Sequence, residues 1–222
     1  MKNFFRKKTL FISVLIVLAV CTLFTGCTSE INLELKKDGS VDVVFSGSAG
    51  KAFAAMIASA TGTSTGSSTG ATNVIFDTKE IEYEMAGNGF SNVKATSKTG
   101  TDLTVSMTDK NGKSALFSSG VITAQNGKLS ATLTSQKLKS FYDKSDSQTV
   151  MFMDMLLAPI FNDEVMSEEE YLEVLASFYG QDIADEIKNA DFRITLKNSD
   201  GTKTVQKLSL TKLLTLNEVI RF

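Results

Sequence analysis

Residues 31–45 read INLELKKDGSVDVVF, and this stretch decides the fold. Apolar and polar residues alternate on both sides of Asp38–Gly39, which is the pattern of two strands that each bury one face. Glycine accepts the positive φ angle of a tight turn, so an Asp-Gly pair between two such runs predicts a β-hairpin. The alternating apolar residues are Ile31, Leu33 and Leu35 in one strand and Val41, Val43 and Phe45 in the other.

Further strands follow from the same alternation and from turn residues. Asn126–Gly127 predicts a second tight hairpin, and residues 198–201 predict the turn of a third. The segments expected to be strands are 91–97, 102–108, 115–125 and 128–134, followed by a closing hairpin that begins with Phe192, Ile194 and Leu196 and extends to about Leu210.

The first two predicted helices lie between the opening hairpin and the second group of strands. Ser48 is placed to cap a helix, because serine oxygens accept hydrogen bonds from first-turn amides. Its apolar side would carry Ala49, Ala52, Phe53, Met56 and Ile57. Residues 77–87 fit two patterns: Asp77 and Glu80 have capping-box spacing, whereas residues 80–85 alternate as in a strand. The capping spacing, with Gly87 as a helix end, favours a helix.

The later helices form a helical insert before the closing hairpin. Ser135 is expected to cap a helix that carries Leu138, Phe141 and Tyr142. Ser167 and Glu170 form a second capping-box pattern, and a short helix is expected near 182–189. The apolar residues that follow Ser167 with helical spacing, before Gly180 ends the run, are Tyr171, Leu172, Val174, Leu175 and Phe178.

Residues 147–161 are apolar almost all round, which favours a buried helix that Pro159 ends or kinks. A second interpretation is an apolar groove for a lipid chain or a partner helix, because methionine adapts to varied partners. The residues proposed for that surface are Met151, Phe152, Met153, Met155 and Phe161.

These elements predict an α+β fold: an antiparallel sheet built from hairpins, packed by several helices, with the helical insert late in the chain. Residues 61–72 read TGTSTGSSTGAT, which predicts a flexible loop because no side chain there can contribute to a core. No internal repeat interrupts residues 27–222, and their length suits one exported domain.

The N-terminus has the order of regions found in an export signal. Lys2, Arg6, Lys7 and Lys8 form a basic cluster, an uncharged stretch covers residues 9–26, and Gly26 precedes Cys27. Residues 23–27, LFTGC, resemble the lipobox of bacterial lipoproteins. The resemblance implies a signal peptide over residues 1–26, a diacylglyceryl group such as a palmitate-containing one on the Cys27 sulfur, and cleavage just before that cysteine.

One position departs from the lipobox pattern. The family usually has Leu, Val or Ile three residues before the cysteine, and this chain has Phe24. Two other interpretations remain open: an uncleaved membrane anchor, because the uncharged stretch approaches the roughly 18 residues that span a bilayer, and an ordinary signal peptide cut elsewhere. Each of them places residues 27–222 outside the cytoplasm.

Composition excludes several chemistries. Four of the 23 basic residues precede residue 27, which leaves 19 basic against all 25 acidic residues and a net charge of −6 for residues 27–222. That charge argues against nucleic-acid binding. The chain has no histidine, and an acylated Cys27 leaves the exported domain without a thiol. We therefore expect no cofactor, no metal site and no enzymatic activity.

The run Glu168–Glu170 is the one conspicuous acidic cluster. Adjacent helical residues face different ways, so we interpret it as a first-turn run favoured by the helix dipole rather than as a catalytic pair.

The layout also resembles uncharacterised bacterial lipoproteins of the LppM type, on the early hairpin at Asp38–Gly39–Ser40 and the apolar run Leu213–Leu216, expected as a C-terminal strand. We expect a lipid-anchored protein on the exported side of the cell membrane or outer membrane, with a non-enzymatic interaction or structural role. The alternative is a carrier or sensor of a lipid-like ligand that binds at the 151–161 segment.

Overall fold

The Asp38–Gly39 hairpin is confirmed in a computed structural model that describes residues 29–60, 75–142, 156–157, 159–160, 162 and 164–222. Its strands are β1 (Ser29–Leu35) and β2 (Val41–Ser48). The Gly39 amide donates to the Lys36 carbonyl oxygen over 3.1 Å, and Gly39 has a φ of 86°. The alternating apolar side chains of both strands are buried, as predicted.

Six strands form one sheet in the order β3-β4-β2-β1-β7-β8, and three form a smaller antiparallel sheet in the order β5-β6-β9. All neighbours in the large sheet are antiparallel except β1 and β7, which pair in parallel. The remaining strands are β3 (Ser91–Thr96), β4 (Asp102–Asp109), β5 (Ile122–Gln125), β6 (Lys128–Leu133), β7 (Asp191–Lys197), β8 (Lys203–Ser209) and β9 (Ile220–Arg221). The α+β class is therefore confirmed.

Helices cluster towards the second half of the chain, as expected for a late helical insert. Seven of them have both ends within the described ranges: α1 (Lys51–Ala60), α2 (Thr78–Gly87), α3 (Ala115–Ser118), α4 (Ser135–Tyr142), α5 (Glu168–Tyr179), α6 (Gln181–Lys188) and α7 (Leu210–Thr215). The loop predicted at 61–72 lies outside the described residues.

Apolar side chains from both sheets and from the helices form one buried cluster. The large sheet contributes one face to it, because residues on β1, β2, β4 and β7 alternate between buried and more exposed positions. This two-layer arrangement, in which one face of the sheet is more exposed to solvent, is typical of antiparallel sheets covered on one side.

The strand predicted over 115–125 is wrong in its first half. Residues 115–118 form α3, and β5 begins only at Ile122. The break lies at Ser119–Gly120, where Gly120 has a φ of 71° and the Ser119 hydroxyl donates to the Leu116 carbonyl oxygen over 3.1 Å. A Ser-Gly pair is a turn signal, and here it separates two short elements.

The apolar C-terminal strand expected over Leu213–Leu216 is also wrong, because residues 210–215 form α7. Ser209 caps this helix by accepting a hydrogen bond from the Lys212 amide over 3.1 Å, and Leu216 ends it with a φ of 42°. Six of the seven residues from Leu210 to Leu216 are buried, all but Lys212, so their pattern contains no periodicity that distinguishes a helix from a strand.

Two of the four predicted helix starts are confirmed. Asp77 caps α2 by accepting hydrogen bonds from the Lys79 and Glu80 amides, which settles residues 77–87 as a helix. Ser167 and Glu170 form the complete capping box of α5.

The other two predicted caps are wrong. Ser48 pairs with Asp102 at the end of β2, so α1 begins three residues later. Thr134 rather than Ser135 caps α4, because its hydroxyl accepts a hydrogen bond from the Lys137 amide over 3.1 Å.

A carboxylate from a distant helix binds the start of α1. Glu186 of α6 accepts hydrogen bonds from the Ala52 amide over 2.9 Å and from the Phe53 amide over 3.0 Å. First-turn amides have no partner within their own helix, and an anion there also interacts favourably with the helix dipole. Glu186 therefore fixes α1 against α6 across more than 130 residues of sequence.

We expect Glu186→Ala to lower the free energy of unfolding by about 1–2 kcal/mol, because two amides lose their acceptor. Glu186→Gln keeps one acceptor oxygen and should cost less. Chemical denaturation measures both effects. Glu173→Ala is the control, since Glu173 is exposed on α5, its side chain forms no hydrogen bond with the described residues, and its loss should change stability by under about 0.5 kcal/mol. Equal losses for Glu186→Ala and Glu173→Ala would refute this role of Glu186.

Candidate functional site

The predicted site residues Cys27, Met151, Phe152, Met153, Met155 and Phe161 lie outside the described residues. Within the same apolar segment, Leu156, Leu157 and Ile160 are described and are buried in the core. The Leu156 carbonyl oxygen accepts a 2.8 Å hydrogen bond from the Tyr171 hydroxyl. These three positions are therefore core, whereas the ligand-binding interpretation of the five neighbouring residues stays a prediction.

The carboxylates of Glu168–Glu170 do not converge on one point. Glu168 accepts hydrogen bonds from the hydroxyls of Ser209, over 3.0 Å, and Thr211. Glu170 instead accepts a hydrogen bond from the Ser167 amide over 2.8 Å. The Ser167 backbone N–H, with its hydroxyl, holds the pKa of Glu170 below its usual value. The run contributes to helix capping and to packing of α5 on α7, and no carboxylate pair forms.

Metal-ligating side chains are also dispersed: across the described ranges, no group of three or more His, Cys, Asp or Glu is placed to hold a metal ion.

One side of α5 instead presents apolar side chains to solvent. Val174 is 40% exposed and Phe178 is 76% exposed, and they follow Glu170 at intervals of one helical turn. Val165, just before the helix, is 91% exposed. Phe178 also lies 6.3 Å from Tyr179 between ring centroids, so two aromatic rings meet at the end of the helix.

These side chains line an open groove of about 560 Å³ between residues 164–166 and the outer side of α5. Two backbone contacts hold the 164–166 segment in place. The Glu164 amide donates to the Pro159 carbonyl oxygen over 2.9 Å, and the Asn217 side chain donates to the Met166 carbonyl oxygen over 2.6 Å. The lining of this α5 groove is Glu164, Val165, Met166, Glu170, Glu173, Val174, Ser177 and Phe178.

The α5 groove is acidic. Its lining contains three carboxylates and no lysine or arginine. The Glu170 carboxylate is engaged with Ser167, whereas the carboxylates of Glu164 and Glu173 have no hydrogen-bonded or ionic partner among the described residues. An apolar surface bordered by unpaired carboxylates favours a ligand that combines apolar and cationic groups.

The opposite side of α5 fixes the helix in the core. Tyr171 and Leu175 are 2% and 1% exposed, and α6 packs beside α5 after the chain reverses at Gly180. Helical spacing in the sequence groups Val174 and Phe178 with Tyr171 as apolar residues of one helix. Helical periodicity gives the direction of a side chain around the axis, but it does not encode how far along the axis the neighbouring core extends.

A second space lies between the two sheets and is enclosed by apolar side chains only. It is lined by Ile31, Leu33, Phe192 and Ile194 of the large sheet, Ile122, Ala131 and Leu133 of the small one, and Leu116, Val121 and Leu213. Its volume is about 30 Å³, whereas small-molecule sites occupy roughly 300–1,000 Å³. It is therefore a packing gap of the core and does not suit a lipid chain.

No protein-family model, curated protein or solved structure matches this chain. The resemblances to lipobox sequences and to LppM-type lipoproteins therefore stay predictions. No helix within the described ranges is long and apolar enough to cross a membrane.

The Tyr171 hydroxyl that positions α5 should make stability depend on alkaline pH. Burial, and secondarily Tyr179, raise the pKa of Tyr171 above its usual value. An unfolded chain releases this proton near pH 10, while the folded chain retains it. The unfolded state then binds fewer protons, so stability is fully present below about pH 10 and is lost above it, by up to about 1.4 kcal/mol per pH unit.

We expect Tyr171→Phe to lower the free energy of unfolding by about 1 kcal/mol at neutral pH, because the Leu156 carbonyl loses its donor. The same variant should lose less stability than the unaltered protein between pH 10 and pH 11. Denaturation series at several pH values measure both effects. Tyr83→Phe is the control, since Tyr83 is 77% exposed on α2. Identical alkaline slopes for Tyr171→Phe and the unaltered protein would contradict this account.

Proposed function

We propose that this protein is a lipid-anchored lipoprotein of the cell envelope with a non-enzymatic interaction role, and that its α5 groove binds an apolar, basic segment of a protein partner. The exposed side chain of Phe178, in a groove whose lining also contains the carboxylates of Glu164 and Glu173, is the observation that carries the binding part of the proposal. The lipobox-like end of the N-terminal signal, at Gly26–Cys27, supports the anchor.

Phe178 has the properties of an interface anchor. A few residues contribute most of the binding energy at protein interfaces, and aromatic side chains that enter a pocket on the partner are enriched at such sites. Single exposed apolar residues are common on protein surfaces, but here Val165, Val174 and Phe178 line one continuous groove. A segment that inserts apolar side chains beside them and places lysine or arginine near Glu164 and Glu173 satisfies both the apolar and the acidic lining.

The anchor is tested with Cys27→Ser, which removes the sulfur that would carry the lipid. We expect the unaltered protein to have a mature mass that begins at Cys27 and includes acyl chains, and to stay in the detergent phase, because two or more chains hold a protein stably on a membrane. Cys27→Ser should remain a precursor or be cut elsewhere. Equal masses and equal partitioning of the two proteins would overturn the lipid anchor.

The α5 groove is tested with a short synthetic helical peptide of leucine, phenylalanine and lysine, titrated against the full mature protein in nanodiscs of zwitterionic lipid. Nanodiscs without protein measure the affinity of the peptide for lipid alone. We expect saturable binding that weakens at least tenfold, or about 1.4 kcal/mol, in Phe178→Ser. Glu173→Gln should weaken binding and reduce its salt dependence, because one carboxylate is lost.

Two controls distinguish binding of the peptide in the α5 groove from nonspecific binding. Tyr83→Ser removes an aromatic side chain that is 77% exposed on α2 and should leave binding unchanged. A peptide with glutamate in place of lysine should bind at least tenfold more weakly than the cationic one. Equal binding of both peptides, or equal losses in Phe178→Ser and Tyr83→Ser, would exclude the α5 groove as the binding site.

A further inference from the structure

The fold holds the chain immediately after the proposed lipid attachment point. Ser29 is the first residue of β1, is 1% exposed, and pairs with Phe192 of β7, while Glu30 pairs with Ser46 of β2. Thr28 is the one residue between Ser29 and Cys27. Because an extended chain covers at most about 3.6 Å per residue, the Cys27 Cα lies within roughly 7 Å of the Ser29 Cα.

Such a short tether selects one end of the large sheet. Strand register places the end of β2 at Ser48, the start of β4 at Asp102, the start of β7 at Asp191 and the end of β8 at Ser209 on the same side as Ser29. We name this side the anchor end. The opposite side, with the turns at 36–40, 110–114 and 198–202, is the far end, about 20 Å away for strands of this length.

Three exposed lysines lie at the anchor end. Lys51 begins α1, next to the contact in which the Ala49 amide donates to the Thr101 carbonyl oxygen over 2.8 Å. Lys98 lies in the β3–β4 turn, and Lys188 ends α6 just before β7. None of the three forms an ion pair within the part of the chain that the structure describes.

Four carboxylates near the anchor end are engaged by other groups. Glu186 binds the α1 amides, and Asp191 forms a 2.7 Å ion pair with Lys207. Desolvation raises the pKa of Asp102, but hydrogen bonds from Thr99 and from the Lys98 amide outweigh it and lower that pKa to about 2. Asp185, one turn before Lys188, accepts a hydrogen bond from Gln181 over 2.8 Å. The lysines therefore remain available for anionic headgroups.

We infer that the lipid on Cys27 holds the anchor end of the sheet against the bilayer, with Lys51, Lys98 and Lys188 facing the headgroups and the far end facing away. This orientation rests on the proposed lipid anchor. A lysine near an anionic membrane surface is attracted to it, so the charges reinforce the orientation that the tether sets.

The orientation also places the α5 groove. Glu168, at the start of α5, binds Ser209, the last residue of β8, and Thr211, two residues later, at the anchor end. The α5 groove therefore begins beside the membrane surface. Its partner segment is one that lies close to the same bilayer, such as a basic stretch next to a membrane anchor.

The test uses fluorescent probes at the two ends of β4. Lys98→Cys precedes this strand at the anchor end, and Asn111→Cys follows it at the far end. An acylated Cys27 leaves no other thiol in the mature protein, so each variant takes one label. Each labelled protein is reconstituted into phosphatidylcholine vesicles that contain spin-labelled headgroups. We expect at least threefold stronger quenching of the Lys98→Cys probe than of the Asn111→Cys probe.

The mass of each mature protein is measured first. An acylated protein whose two probes quench equally, or whose Asn111→Cys probe quenches more, would overturn the orientation alone. Absence of the acyl mass would overturn the lipid anchor and the orientation together.

A second arm tests the lysines. Adding anionic lipid should increase quenching of the Lys98→Cys probe, and Lys51→Gln with Lys188→Gln should remove most of that increase. The matched control is Lys110→Gln with Lys113→Gln, two exposed lysines at the far end, which should leave the increase unchanged. Equal effects of the two pairs would overturn the role of the anchor-end lysines.

Discussion

The parallel pairing of β1 with β7 is the interaction on which the rest of the structure depends. It joins the opening hairpin to the closing hairpin, which are more than 150 residues apart in sequence, and converts two separate ribbons into one six-stranded sheet. Neither hairpin alone buries enough apolar surface to be stable in water. Once they are joined, Ile31 and Leu33 lie beside Ile194 and Leu196 on one continuous apolar face. The same pairing fixes Ser29 at the sheet end that the proposed lipid tether would hold.

Features that depend on neighbouring residues could be predicted from the sequence. Gly39, Asn126 and Gly127 have φ angles of 86°, 51° and 75°, as their turns require. The strands β1 and β2 could be predicted because their apolar residues occur at every second position. The capping box at Ser167 could also be predicted, because Ser167 and Glu170 lie within four residues of each other. The fold class followed from these local signals.

Features that depend on distant residues could not be predicted. The amides of α1 bind Glu186, whose sequence neighbourhood contains no sign of α1. The apolar run in α7 is buried nearly all round, so no periodicity distinguished a helix from a strand. The parallel pairing of β1 with β7 could not be predicted either. The sequence of a strand indicates its partner in the adjacent hairpin but contains no signal for the strand on its other side. For the same reason the exposure of Val174 and Phe178 depends on where the core ends.

The proposed function combines two surfaces that a single fold positions. Only Thr28 separates Cys27 from the buried start of β1 at Ser29, and so short a tether would hold the domain close to a bilayer in one orientation. The capping of α5 by Ser167 and the contact of Glu168 with Ser209 would then place an apolar, acidic groove near that membrane. An interaction protein built in this way acts on partners within reach of the same membrane, because its own tether is short.

The most direct test of this account is whether a disulfide forms between β1 and β7. Asn32 and Thr195 are register partners on the more exposed face of the parallel pair, where adjacent strands lie about 4.8 Å apart, within the Cα separation that a disulfide accepts. We expect Asn32→Cys with Thr195→Cys to oxidise readily to a monomeric intramolecular disulfide, identified by mass after proteolysis. The pair Asn32→Cys with Arg193→Cys, two residues out of register, should oxidise much more slowly. Equal oxidation of both pairs, or none in the first, would contradict the β1–β7 register and with it the orientation of the domain.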